Sequence, residues 1–304
     1  MTRKYSHVYV IGVDGAGSWF RDAETPSFNK IFKDGAVTFR ALSSKPTISA
    51  ECWGSMLIGV GPEVHKLTNS KVSVRPYPLW SKNPSVFRRI RKAYPKAELS
   101  SYCDWKPINK GIVEMTLGVD KKSARDEELT PLICDCIIKK KPDFLFVHFD
   151  SADGAGHNNG YGTAEHLSAI NKIDSLIGDV YSSIEGAGIL EDTLFMVIAD
   201  HGGTNDGSGK GSHGGWTDEE KYVTFAAIGN NIIGVEIKEM NIRDLAAIVL
   251  YAMGIKAPEF DENGWTSQIP EGLFADYDGE YRDISHLTGA APRISKTHHE
   301  SELV

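Results

Sequence analysis

Three short, nearly unbroken apolar runs stand out along the chain, at residues 8–13, 144–149 and 194–199, and each runs directly into an aspartate. Runs of this length without polar alternation predict strands buried on both faces. A further β-type run at 37–42 leads to Lys45-Pro46-Thr47-Ile48-Ser49, and 98–103 and 222–228 predict two more strands. Between them the apolar period changes to 3.6. The pattern predicts helices at 50–58, stopped by Gly59 and Gly61-Pro62, at 84–94 on the surface, stopped by Pro95, and at 121–140. Longer still is 163–184, where Leu167, Ile170, Ile173, Leu176, Ile177, Val180 and Ile184 share one face before Gly186 and Gly188. Residues 204–217 are glycine-rich and read as a loop, and 241–253 reads as a helix stopped by Gly254.

Strands alternating with amphipathic helices predict an α/β three-layer sandwich, a mostly parallel central sheet with helices on both faces. The expected organisation is one catalytic domain over 1–274, with a small cap region within 66–120. A polar tail follows over 275–304, and its last residues, 296–304, read as disordered.

Charge and composition narrow the partners. Thirty-three basic against forty-one acidic side chains give a net charge of -8, and no dense Lys/Arg stripe offers itself to a polymeric nucleic acid. A small phosphorylated substrate stays compatible, because bound cations reverse the local field of an acidic site. Cys52, Cys103, Cys134 and Cys136 lack the spacing of a disulfide scaffold or structural zinc site. No secretory leader and no eighteen-residue apolar stretch is read, so the expectation is a cytoplasmic protein without a membrane span. The oligomeric state stays open.

The candidate chemistry collects just beyond the predicted strand ends. Asp14, Asp153, His157, Asp200 and His201 all fall there, at the edge where open parallel sheets build sites. His213 lies in the glycine-rich loop. Three carboxylates and three imidazoles form a mixed N/O donor set suited to Zn²⁺ or Mn²⁺, and two ions about 4 Å apart would use all of them. Ser49 stands at the start of the 50–58 helix, where unpaired amides favour a phosphate.

Each residue also has an ordinary reading. Asp14 could be a turn acid and Ser49 an N-cap. Asp153 and His157 could share a helical face, although Gly154 and Gly156 between them favour a loop. Asp150 competes with Asp153, and Asp206 reads as a loop acid. His65, His148 and His166 read as ordinary turn, strand and helix residues.

Four stretches in this order, VYVIGVDGAG, KPTISAECWGSMLIGVGPEVHK, FVHFDSADGAGH, and MVIADHGG followed by GKGSHGG, resemble the alkaline phosphatase superfamily. Within it, the chain is similar to the type I phosphodiesterase/nucleotide pyrophosphatase branch. The resemblance implies that Asp14, Asp200 and His201 hold one metal that also meets the nucleophile Ser49. Asp153, His157 and His213 would hold the other. It implies phosphodiester hydrolysis through a covalent intermediate on Ser49, with a phosphomonoesterase, a phosphonate hydrolase or an inactive metal-binding protein as rivals.

The chain departs from the family at Cys52. Three residues beyond the nucleophile the diesterase branch commonly places an Asn that bonds a phosphate oxygen, and a thiol is a weak donor. Asn158, Asn159 or Lys210 are the expected substitutes. Trp53 and Tyr161 are candidate aromatic contacts for a substrate ring, with inward packing the alternative for Trp53. Sulfatases fit less well, since the Cys-x-Pro-Ser-Arg pattern is absent. Cofactor-independent phosphoglycerate mutases carry a large inserted domain for which this chain has no room.

Overall fold

A computed structural model describes residues 2–282. The strands are β1 (His7–Val13), β2 (Ala36–Leu42), β3 (Leu99–Cys103), β4 (Asp120–Lys122), β5 (Phe144–Phe149), β6 (Thr193–Ala199), β7 (Thr204–Asn205), β8 (Gly211–Ser212) and β9 (Tyr222–Ile228). Among the described residues they form a seven-stranded sheet in the order β2-β9-β6-β1-β5-β3-β4, plus the small hairpin β7-β8. β1 pairs in parallel with both β5 and β6, and β3 in parallel with β5 and β4. Only β9 runs against its neighbours, β6 and β2.

The helices are α1 (Pro26–Ile31), α2 (Ser49–Ile58), α3 (Pro62–His65), α4 (Asn69–Val74), α5 (Val86–Ala93), α6 (Lys106–Gly111), α7 (Asp126–Lys140), α8 (Ser151–Asn159), α9 (Ala164–Gly186), α10 (Asp218–Lys221) and α11 (Leu245–Ala252). They cover the sheet as two groups. On one face Phe144 meets Phe87 of α5, and Phe146 and His148 meet Trp53 of α2. On the other, Phe195 of β6 meets Tyr181 of α9. All residues of β5 and β6 are buried, as their continuous apolar runs require.

Several expectations need correction. Residues 151–159 are helical despite Gly154 and Gly156, so Asp153 and His157 do share one face of a helix. The helix expected over 121–140 begins only at Asp126, and Asp120–Lys122 is instead the edge strand β4. The charged Lys121 and Lys122 suit a sheet edge, where they discourage pairing with another chain. The glycine-rich loop contains the β7-β8 hairpin. The surface helix near 84–94 buries Val86, Phe87 and Ile90. Within 66–120, Leu99–Cys103 belongs to the main sheet. Of the polar tail, the first residues are tied to the domain: Asp276 accepts from Asn231 and Tyr251, and Tyr281 donates to Asp244 Oδ2 at 2.7 Å. The expectation of disorder at 296–304 lies outside the described residues.

Candidate metal centre beside Ser49

The parallel trio β6-β1-β5 ends along one edge of the sheet, and each strand delivers a carboxylate there. Asp14 follows β1, Asp150 and Asp153 follow β5, and Asp200 follows β6. Ser49 joins them as the first residue of α2. It is not the N-cap, a position taken by Ile48 without a side-chain bond. Its Oγ instead lies 3.3 Å from His201 Nε2 and 3.5 Å from Asp14 Oδ1.

The six expected ligands fall into two clusters, and a third group, Asp14, His148 and Asp150, shares Asp14 with the first. Asp14, Asp200 and His201 form the first, fully buried; Asp153, His157 and His213 form the second, partly open. The His201 and His213 rings stack between them with centroids 3.9 Å apart. The three imidazoles share one arrangement. His201 Nδ1 is 3.0 Å from the carbonyl of Gly202, His157 Nδ1 3.2 Å from that of Gly211, and His213 Nδ1 2.7 Å from that of Thr47. A carbonyl only accepts, so each Nδ1 carries the proton and each Nε2 presents a lone pair. The Nε2 atoms of His157 and His213 then face each other at 3.1 Å. His157 Nε2 is 3.2 Å from Asp153 Oδ2, and His201 Nε2 is 3.3 Å from Asp200 Oδ2.

Thr47 builds part of this order. Its Oγ1 accepts from the Gly214 amide at 2.9 Å and donates to the Gly215 carbonyl at 3.2 Å, latching the loop that carries His213 to the approach of α2. Asp200 Oδ1 is held by the amides of Gly15 and His201, whereas its Oδ2 is buried with no hydrogen-bond partner. Burial, then the charge of Asp14, pushes the Asp200 carboxyl well above the usual range. Burial and the neighbouring His213 lower His201 to about 4.

A buried carboxylate oxygen without a donor, beside converging imidazole lone pairs, is costly unless a cation sits among them. Nδ1 bonded to a backbone carbonyl is also the usual outer support of a metal-binding histidine. The residues therefore fit divalent cations, with potential sites at both clusters; the donor set does not choose between Zn²⁺ and Mn²⁺.

The sequence model of the type I phosphodiesterase / nucleotide pyrophosphatase family matches residues 69–247, more than half of the chain. The chain belongs to this family. As a type I phosphodiesterase-family member it has the fold of a metal-binding hydrolase within the alkaline phosphatase superfamily. Among solved structures, murine ectonucleotide pyrophosphatase / phosphodiesterase 5 superposes with a TM-score of 0.70 at 14% identity, over 83% of this chain and 96% of that one. A 2-O GAG sulfatase gives 0.64, also at 14% identity, over 85% and 72%. In sequence, the 2,3-bisphosphoglycerate-independent phosphoglycerate mutase of Acetivibrio thermocellus is 26% identical over 140 residues, 43% of this chain and 24% of that protein. GPI ethanolamine phosphate transferase 2 of Kluyveromyces lactis is 34% identical over 94 residues, 31% and 11%. The chain thus matches a quarter or less of the length of these two relatives.

The substrate contacts expected around this family centre are redistributed. Cys52 and Trp53 are fully buried and offer no surface to a substrate. The Cys52 thiol packs 3.4 Å from Ser43 Oγ, and Trp53 Nε1 donates to Asp14 Oδ2 at 2.8 Å. Tyr161 is buried too, its hydroxyl donating to Asp153 Oδ1 at 2.6 Å. Asn158 is exposed and donates to the Gly154 carbonyl; Lys210 is exposed on the hairpin turn, and Asn159 lies at the end of α8.

Sequence reasoning missed Asn69, Thr47 and the role of His148. Asn69, first residue of α4, accepts the Ala50 amide on Oδ1 at 3.0 Å. Its Nδ2 therefore carries the amide hydrogens. Nothing in the local pattern signals this, because Asn69 reaches Ser49 only through the turn at α3. His148 was passed over as a strand residue, yet its position as the one polar side chain in FLFVHF was a signal.

Proposed function

We propose that this protein hydrolyses phosphodiester bonds, in a small substrate, with Ser49 as nucleophile and two divalent cations held by the two clusters. One observation carries the reading: three imidazoles turn Nε2 lone pairs toward Asp14, Asp153 and the unpartnered Asp200 Oδ2, with Ser49 Oγ at the border. Asp14, Asp200 and His201 would hold one ion and Asp153, His157 and His213 the other. When bound, such cations lower the pKa of a hydroxyl and neutralise charge building on phosphoryl oxygens.

The chain's own residues do the rest. Ser49 Oγ gives up its proton and attacks phosphorus while the phosphorus–oxygen bond to the first alcohol breaks; that oxygen takes up a proton and departs as the alcohol, leaving the remaining phosphoryl group esterified to Ser49. Water then attacks that phosphorus, the Ser49–phosphorus bond breaks, and the hydroxyl is restored. Asn69, anchored by its Oδ1 to the Ala50 amide, would donate from Nδ2 to a non-bridging oxygen as charge develops there. Among the described residues no Arg or Lys forms an ion pair with Asp14, Asp153 or Asp200. A dianionic monoester would need such cationic help more than a diester does. The mouse relative was solved as an inactive variant in complex with AMP, which supports a nucleotide-containing ester as one substrate class to try.

The test is turnover of bis-p-nitrophenyl phosphate against p-nitrophenyl phosphate by metal-free protein reloaded separately with Zn²⁺ and Mn²⁺. Faster diester cleavage, lost in Ser49→Ala, is the expected result. Monoester preference would make the protein a phosphatase. Activity that survives Ser49→Ala would remove the nucleophile, and metal retention without turnover of any ester would indicate a binding protein.

A further inference from the structure

Both hydrogen-bonding positions of one Asp14 oxygen are occupied. Trp53 Nε1 donates to Asp14 Oδ2 at 2.8 Å, and His148 Nε2 lies 2.9 Å from the same atom. A carboxylate oxygen offers two lone pairs, so Oδ2 is saturated. Oδ1 accepts only a long 3.5 Å bond from Ser49 Oγ and lies 3.5 Å from His201 Nε2.

The donors are aimed by packing rather than by the carboxylate. Trp53 projects from α2 onto β1 where residue 12 is glycine; a Cβ there would stand 2.4 Å from the Trp53 ring. Phe146 and His148 meet the indole edge-on, at 5.7 and 5.0 Å between centroids. The ring has no room to turn. His148 comes from β5 at the position paired with Gly12, so both donors approach from the α2 side of the sheet. Its Nδ1 is buried and unpartnered, and every other residue of the strand is apolar. Stability alone would favour an apolar side chain at 148, which points to a use for Nε2.

We propose that His148 and Trp53 are positioning residues that hold Asp14 Oδ2, leaving Oδ1 alone to serve a cation beside Ser49. The inference rests on the two-cation reading. The charge-assisted bonds fix the carboxylate rotamer before the cation arrives, so the first cluster binds through one Asp14 oxygen that cannot swing away. A competing geometry exists, because Asp14, His148 and Asp150 also lie close enough to surround an ion. In that case His148 Nε2 would be a ligand and could not donate.

The experiment measures Zn²⁺ affinity by competition with a chromophoric chelator, ions bound per chain at saturation, and the visible spectrum of the Co²⁺-loaded protein. The variants are Trp53→Phe, His148→Gln and His148→Leu, each checked for native circular dichroism. Trp53→Phe deletes the N–H but also shrinks the buried indole to a phenyl ring, so its melting temperature is recorded beside the affinity, and His148→Gln, which keeps a donor, stays informative if either other variant fails to fold. The expected result is about 10-fold weaker binding at one of two sites in Trp53→Phe and His148→Leu. Stoichiometry should stay unchanged, with an altered Co²⁺ spectrum. His148→Gln, whose Nε2 can still donate, should recover affinity to within a few-fold of the original. Affinity and spectrum unchanged in Trp53→Phe would overturn the clamp. So would one ion fewer per chain in His148→Gln, which would make His148 a ligand. Failure of the unsubstituted protein to bind ions lost in Asp14→Asn would instead sink the two-cation reading beneath it.

Discussion

Asn69 Oδ1 and the backbone N–H of Ala50 are joined at 3.0 Å, which pins the side-chain amide of α4 against the first turn of α2. The bond assigns the oxygen, so Nδ2 is left to donate, on a side chain anchored one residue along the backbone from Ser49. Asn69→Ala should lower kcat/KM for a phosphodiester by about 100-fold, the usual cost of one lost oxyanion donor. Asn69→Asp should fall at least as far, since it keeps the acceptor for Ala50 but presents a carboxylate to the phosphate. Steady-state rates at saturating metal decide this, and activity within threefold of the original in Asn69→Ala would remove Asn69 from the site.

Tyr161 plays for Asp153 the part that an outer hydrogen bond plays around many metal carboxylates. Tyr161→Phe keeps the ring packed and deletes only the 2.6 Å bond to Asp153 Oδ1. Affinity for the second ion should weaken by about 10-fold with little change in melting temperature. A titration that leaves both affinities unchanged would show the hydroxyl to be structural.

Loading with metal should stabilise the fold. Asp14, Asp153 and Asp200 are crowded together, and burial and mutual repulsion already push the Asp200 carboxyl up. Cations that bind only the native state add about 2.7 kcal/mol at a hundred times the dissociation constant. The melting temperature should therefore drop by several degrees in chelator and recover with Zn²⁺ or Mn²⁺. Identical melting curves in both conditions would contradict occupancy of the clusters.

Acid should weaken the α2–α3 junction through His65. Its Nδ1 accepts the Leu67 amide at 3.0 Å and Nε2 sits 3.2 Å from Ser55 Oγ, so the ring is held neutral. Burial lowers it from 6.5 to about 3. A lowered folded value means that the unfolded chain takes up the proton first as pH falls. The stability held by the neutral ring is full above about 6.5 and is lost progressively toward about 3, at up to about 1.4 kcal/mol per tenfold change in proton affinity. Urea midpoints from pH 7 to pH 4 should fall, and His65→Gln should flatten that limb. Parallel curves for the two proteins would exclude His65 as the cause.

How much of this was legible in the sequence depended on the kind of signal. The central strands were readable because a strand buried on both faces must be apolar throughout, and 8–13, 144–149 and 194–199 are. The edge strand β4 was not, because Lys121 and Lys122 carry no such pattern. α8 was misread for a physical reason: Gly156 is there because a Cβ would meet Tyr161 Cε1 at 2.4 Å, not because the chain turns. The residues named as metal ligands lie together in space, since strand ends in a parallel sheet share an edge. Side-chain bonds such as Trp53 to Asp14 join positions whose spacing has no period, and only the folded chain displays them.

The sheet order has a consequence for the protein's birth. Val8 of β1 pairs with Phe144 on one side and Leu194 on the other, so this strand is enclosed only after both of the later strands have been made. Until residue 149 has emerged β1 has neither neighbour, and until residue 199 has emerged one of its edges stays bare and Asp14 has neither Asp200 nor His201 beside it. Asp14 and Asp200 meet only when β1 and β6 have paired, and His213 joins them later still. Topology alone orders in time the assembly of the candidate clusters.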